Sequence, residues 1–122
     1  MVLRYLLDEQ LRGPLGRAVQ WHNGRGIYPL DVVRVGDFGD LPLGSVDPAI
    51  LLWAESEGRI LVSHDRNTLP GHLADHLHAG HHSPGIFIIR RHSTLPQIVS
   101  FLADAAYASD PSEWGDWIKY IP

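Results

Sequence analysis

The segment Asp47-Pro48-Ala49-Ile50-Leu51-Leu52-Trp53-Ala54-Glu55-Ser56-Glu57-Gly58-Arg59-Ile60-Leu61-Val62-Ser63-His64-Asp65 decides the fold class. Asp followed by Pro reads as a helix start, with Asp47 as the capping residue and Pro48 at the first helical position. Ile50, Leu51, Trp53 and Ala54 supply the apolar side of that helix, and Gly58 stops it. Arg59 to Val62 then forms a very short apolar strand ending in Ser63-His64-Asp65. A helix feeding an uninterrupted apolar strand belongs to a parallel sheet buried on both faces.

The same alternation extends in both directions. Val2 to Leu7 is an apolar strand that ends abruptly at Asp8-Glu9. Leu11, Leu15, Ala18 and Val19 recur at helical spacing, which predicts a helix from about Gln10 to His22, closed by Asn23-Gly24-Arg25-Gly26. Asp31 to Val35 is a second strand. Gly36 to Val46 holds three Gly, one Pro and two Asp with no period, and reads as a long loop. Beyond Asp65, Leu69 to Ala79 predicts a His-rich helix, Ser83-Pro84-Gly85 a turn and Ile86 to Ile89 a fourth strand. Ser93 or Thr94 caps a helix to about Ala108, and Thr94 with Gln97 resembles a capping box. Trp114 to Ile121 is the last expected strand. The expected fold is a single α/β domain over residues 1–122, a three-layer α/β/α arrangement with a mostly parallel sheet.

Composition agrees with a globular chain. The 122 residues are 44% hydrophobic and 20% charged, enough for one core and too apolar for a disordered chain. Cysteine is absent, which excludes a disulfide framework and thiolate chemistry and suits a reducing cytoplasm. No apolar run approaches the roughly 18 residues of a membrane-spanning helix. The first nine residues turn acidic too soon for a secretory signal. Net charge is -4, so the chain is no polycation, although nine of its ten cations are Arg, which suits phosphate.

In an open α/β sheet, ligands bind beyond the carboxyl ends of the strands. Asp8-Glu9 ends the first strand and Asp65 follows the third. Asp47 opens the helix leading into the third and falls on the same edge. Each alone can be a helix cap. Together they bring three negative charges to one rim, and hard divalent cations such as Mg²⁺ or Mn²⁺ relieve that repulsion. Such a site activates water and clamps phosphate oxygens. Arg66, Asn67 and Arg12 are the candidate phosphate contacts, with Arg17 and Arg90-Arg91 behind them.

Leu6-Leu7-Asp8-Glu9, Asp47 to Ala54 and Gly58-Arg59-Ile60-Leu61-Val62-Ser63-His64-Asp65-Arg66-Asn67-Thr68 resemble a family of short PIN-like proteins. The likeness runs on through Pro84-Gly85-Ile86-Phe87 and Asp110 to Trp114, to Tyr120-Ile121-Pro122, and the Gly58 to Arg66 stretch is its most specific part. PIN domains are Mg²⁺- or Mn²⁺-dependent nucleases, and many are the RNase toxins of bacterial toxin–antitoxin pairs. The resemblance implies that Asp8, Asp47 and Asp65 hold the metal or position the attacking water, that RNA is the substrate, and that a small DNA-binding antitoxin is a partner. A typical PIN domain carries a further acid, usually Glu, on a helix between the Asp8 and Asp65 positions. Here only the Gly36 to Val46 loop stands there, leaving Glu9, Asp37 or Asp40 to substitute. That departure bears on catalysis, and it keeps open a second reading, a binding module of the same fold without activity.

Other constellations are weaker. His72, His76, His78, His81 and His82 crowd one stretch, and His72 with His76 has the i, i+4 spacing that can hold Zn²⁺ or Ni²⁺, but no Glu occupies the zincin position. The expected state of that helix is a solvated polar face. Ser63 lacks the glycines of a nucleophile elbow, which counts against a Ser/His/Asp hydrolase. A phospho-acceptor receiver domain needs a Lys at a strand end before a final helix, whereas Lys119 lies three residues from the last position. Trp114, Trp117 and Tyr120 could cap the core or form a homodimer surface.

Overall fold

The computed structural model describes residues 2–122. Five short strands, β1 (Arg4–Leu7), β2 (Asp31–Arg34), β3 (Ile60–Ser63), β4 (Ile86–Ile89) and β5 (Ile118–Ile121), alternate with four helices. These are α1 (Pro14–Gly24), α2 (Asp47–Glu57), α3 (Leu69–His78) and α4 (Leu95–Ala108). All strand pairs are parallel, in the order β2-β1-β3-β4-β5.

Side chains of successive strand residues point to opposite faces, and this splits the core in two. Tyr5, Leu7, Val62, Phe87 and Ile89 face α1 and α4. Leu6, Leu61, Ile86 and Ile88 face α2 and α3. The result is the expected three-layer α/β/α fold, with strands buried on both sides. The first crossover, through α1, lies on one face and steps outward to β2. The next two, through α2 and α3, lie on the other and step toward β4. α4 continues in that direction but packs beside α1, so its crossover has the opposite hand to the other three. It is held there by the Tyr5 hydroxyl, which donates to the Leu102 carbonyl at 2.7 Å, and by the Leu3 amide on the Ala106 carbonyl at 3.3 Å. Without α4, α1 alone would leave most of that face of the sheet in water.

The element limits depart furthest from expectation at three places, and elsewhere by one or two residues. Glu9–Leu11 forms a single 3₁₀ turn, and α1 starts only at Pro14, where a missing N–H costs the helix nothing. The last strand begins at Ile118 instead of Trp114. Trp114 ends a 3₁₀ turn, packs edge-on against Phe87 and is half-buried, while Trp117 and Tyr120 stay exposed. The capping position of α2 is Val46, whose carbonyl accepts from the Ile50 amide, so Asp47 stands inside the helix and caps nothing. The capping box of Thr94 and Gln97 is present as read.

The Gly36 to Val46 loop is ordered by specific contacts. Gly36 has φ +97°, a backbone conformation that favours glycine, and a Cβ there would push the exposed Leu43 side chain aside. Leu41 is buried, Phe38 stacks on Trp53, and the Gly44 amide donates to Glu9. Among the described residues no helix is long and apolar enough to cross a membrane.

Candidate functional site

The chain leaves β1 for β2 on one side and returns past β1 to β3 on the other. The carboxyl ends of β1 and β3 therefore flank the switch point where such sheets hold ligands. A cleft of about 660 Å³ opens there. Asp8, Glu9, Asp47 and Asp65 line it, together with Arg66 and Asn67. The structure thus brings together Asp8, Glu9, Asp47 and Asp65 and two of the three phosphate contacts read from the sequence, Arg66 and Asn67, and leaves Asp37, Asp40 and Arg12 outside.

Each acid is held differently. The Asp8 amide extends the β1–β3 ladder to the Val62 carbonyl at 2.9 Å. Its carboxylate caps the following 3₁₀ turn through the Glu9 amide at 2.8 Å and accepts from the Ser63 hydroxyl at 2.8 Å. Ser63, buried at the end of β3, also accepts from the Asp65 amide at 3.1 Å, so one hydroxyl ties the two strand-end acids together. Asp65 folds back on its own loop. It accepts from the Asn67 and Thr68 amides at 3.0 and 3.1 Å and from the Thr68 hydroxyl. These bonds, the Thr68 hydroxyl foremost, hold its carboxyl below the usual carboxylate range. Glu9 accepts from the Gly44 amide at 2.6 Å and anchors the long loop.

Asp47 is the exception. Its carboxylate accepts no hydrogen bond among the described residues, and the basic side chain within ion-pair distance is His72 of α3, with Nε2 3.6 Å from Oδ2. Its carboxyl is pushed above the ordinary range, first by desolvation and then by the charge of Asp8. His72 opposes the shift and Asp65 adds to it. An acid so placed, beside negative charges, with no hydrogen-bond donor and only His72 within ion-pair distance among the described residues, gains from a cation.

Carboxylate oxygens suit hard divalent ions, and Asp8 and Asp47 offer them on one rim. No group of three His, Cys, Asp or Glu side chains among the described residues closes on a single point. An ion on this rim would take one or two of these carboxylates and keep most of its water, the mode in which Mg²⁺ binds.

Arg12 lies away from the cleft lining. Its Nη1 donates to the Val35 carbonyl at 2.7 Å and to Asp37 at 2.9 Å. Asp37 also accepts from Arg34. Burial opposes ionisation there, yet the Arg34 and Arg12 hydrogen bonds keep its carboxyl below the usual range. Asp37 and Asp40 do not line the cleft; of the three candidate substitutes for the fourth acid, only Glu9 does.

His64, Arg91 and Ser45 also line the cleft. Arg91 stood in the sequence beside Arg90 with nothing to choose between them. His72 carried a signal only as half of a His pair, because its partner Asp47 lies on another helix. The expected solvated His face is half right. His76 is buried, with Nε2 3.1 Å from Glu55 and 2.9 Å from the His82 carbonyl, and the His81 ring stacks on it. Comparison with family models, with curated proteins and with solved structures gave no match to this chain.

Proposed function

We propose that this cleft hydrolyses RNA phosphodiester bonds with Mg²⁺ or Mn²⁺ held at Asp8 and Asp47, as the toxin half of a cytoplasmic toxin–antitoxin pair. The observation that carries the hydrolytic reading is the state of Asp47: lining the cleft, without a hydrogen-bond donor, and raised in pKa beside Asp8 and Asp65. A bound divalent ion supplies charge for phosphate oxygens and acidifies water. Asp65, fixed by its turn, presents the remaining carboxylate of the rim, and Arg66 and Asn67 provide donors for the phosphate backbone. RNA as substrate and a small DNA-binding antitoxin as partner rest on the PIN-like resemblance.

The test is cleavage of a mixed RNA pool by purified protein with Mn²⁺, with Mg²⁺ and with chelator. Asp8→Asn and Asp47→Asn run alongside. Metal-dependent cleavage lost in both variants supports the reading, and cleavage that survives both overturns it.

A binding module without catalysis is the second reading. Asp8, Glu9 and Asp65 each already accept local N–H or O–H bonds, which suits acids kept for structure. It predicts oligonucleotide binding with no cleavage under any metal.

A further inference from the structure

Among the described residues, the cleft carries two arginines without an ion pair, Arg66 and Arg91, beside its acids. His64 and Arg66 come from the loop after β3, and Arg91 from the turn after β4. Three other arginines are spent on structure: Arg12 and Arg34 on Asp37, and Arg59 on Asp31. Arg66 and Arg91 have no carboxylate within ion-pair distance among the described residues, although acids line the same cleft. Asp8, Glu9 and Asp65 accept from the Ser63 and Thr68 hydroxyls and from backbone amides.

The backbone leading into Arg91 is anchored to the sheet, and its side chain is exposed. The Arg90 amide donates to the Ile121 carbonyl at 2.8 Å, which extends the β4–β5 ladder to the end of the strand. His92 then turns the chain with φ +67°. β1, β3 and β4 are neighbours in the sheet, so Asp8, Asp65 and Arg91 follow three adjacent strands, spaced roughly 5 Å apart. The cationic end of the cleft is thus about two strand spacings, roughly 10 Å, from the β1 acid.

We infer that Arg91, with Arg66, grips a backbone phosphate of a single-stranded nucleic acid next to the phosphate that lies over the carboxylates. A guanidinium fork matches phosphate oxygens two at a time. One isolated phosphate can occupy the cationic end or the acid rim but not both, so the pairing selects a polymer over a free anion. The part of the inference that sets a second phosphate over the acids rests on the proposed hydrolytic reading. The grip itself needs no metal.

The experiment measures anisotropy of a short labelled single-stranded RNA with the whole protein in chelator, across a salt series. Arg91→Ala and Arg66→Ala are compared with the parent. Lys119→Gln, in β5 and outside the cleft, removes the same charge. Circular dichroism confirms that each variant is folded. The expected result is about threefold to tenfold weaker binding in each Arg variant. The slope of log affinity against log salt should fall by about 0.7 per lost contact. Lys119→Gln should bind like the parent, and inorganic phosphate should fail to displace the strand. Four results would each overturn the inference: no binding, Arg variants that bind like the parent, an equal loss in Lys119→Gln, or displacement by inorganic phosphate. Arg-dependent binding without cleavage in Mn²⁺ leaves the grip standing and removes the hydrolytic reading. Cleavage with Arg-independent binding does the reverse.

Discussion

Ser63 donates its hydroxyl proton to Asp8: Oγ lies 2.8 Å from Oδ2, across the junction of β1 and β3. The same oxygen accepts the Asp65 amide. One buried hydroxyl therefore orients one acid of the rim and the loop that carries another. Ser63→Ala should cost about 1–2 kcal/mol of stability in urea denaturation, because a charge-assisted bond is lost and a buried amide is left without its acceptor. RNA cleavage should fall with it, while Ser63→Thr, which keeps the hydroxyl, should retain more of both.

Asp47→Asn separates stability from function. The folded-state pKa of Asp47 lies above its ordinary value, so its contribution favours the fold at low pH and is lost as pH rises through the folded pKa. The stability of Asp47→Asn relative to the parent should therefore increase as pH rises from the ordinary carboxylate pKa through the raised folded pKa, by less than about 1 kcal/mol, since the group is only partly desolvated. Unfolding followed over that pH range checks the sign. A parent that gains on the variant as pH rises would refute it.

Metal should reverse that balance. At tenfold excess over its dissociation constant, Mn²⁺ should stabilise the parent by about 1.4 kcal/mol. Asp8→Asn and Asp47→Asn should each lose most of this shift. Thermal melts with Mn²⁺ and with chelator give the comparison, and equal shifts in all three proteins would place the ion elsewhere.

Arg12→Ala should behave as a structural substitution. Its guanidinium joins the Val35 carbonyl to Asp37, at the foot of the long loop. The expected loss is about 1 kcal/mol, with oligonucleotide affinity within about twofold of the parent. A large affinity loss at unchanged stability would return Arg12 to the substrate side.

His82 and Asp116 form an exposed pair with Nδ1 2.9 Å from Oδ2. The Asp116 hydrogen bond raises the His82 pKa above its ordinary 6.5. Hydrogen bonds from the Ser83 amide and then His82 hold Asp116 below the usual range. The pair favours the fold between those limits. Its acidic limb is lost as pH falls through the folded Asp116 pKa, and its basic limb as pH rises through the folded His82 pKa. Proton NMR should show His82 titrating above 6.5 and returning toward that value in Asp116→Asn.

Much of this fold was legible because its signals are local. Ile86 to Ile89 is an uninterrupted apolar strand, Thr94 and Gln97 cap the helix that follows, and Gly58 ends the one before β3. The convergence of Asp8, Asp47 and Asp65 also followed from chain order, since strand ends and helix starts share an edge in a parallel sheet. Asp47 was harder. Asp-Pro is a cap pattern, and only the hydrogen bond from Ile50 to Val46 moves the cap back one residue and leaves that carboxylate free.

The sequence by itself determined the element order, the parallel class of the sheet and the rim on which its acids stand, because backbone periodicity and capping act over a few residues. Tertiary structure alone decided which groups neutralise one another. His72 meets Asp47 and His76 meets Glu55 because α2 and α3 pack side by side on one face of the sheet. Ser63 reaches Asp8 from a neighbouring strand, and Arg12 turns to Asp37 while Arg66 and Arg91 have no ion pair among the described residues. Electrostatic pairing falls off over a few ångströms of space, not over positions in the chain. The charge state of the cleft was therefore settled by which surfaces the core pressed together.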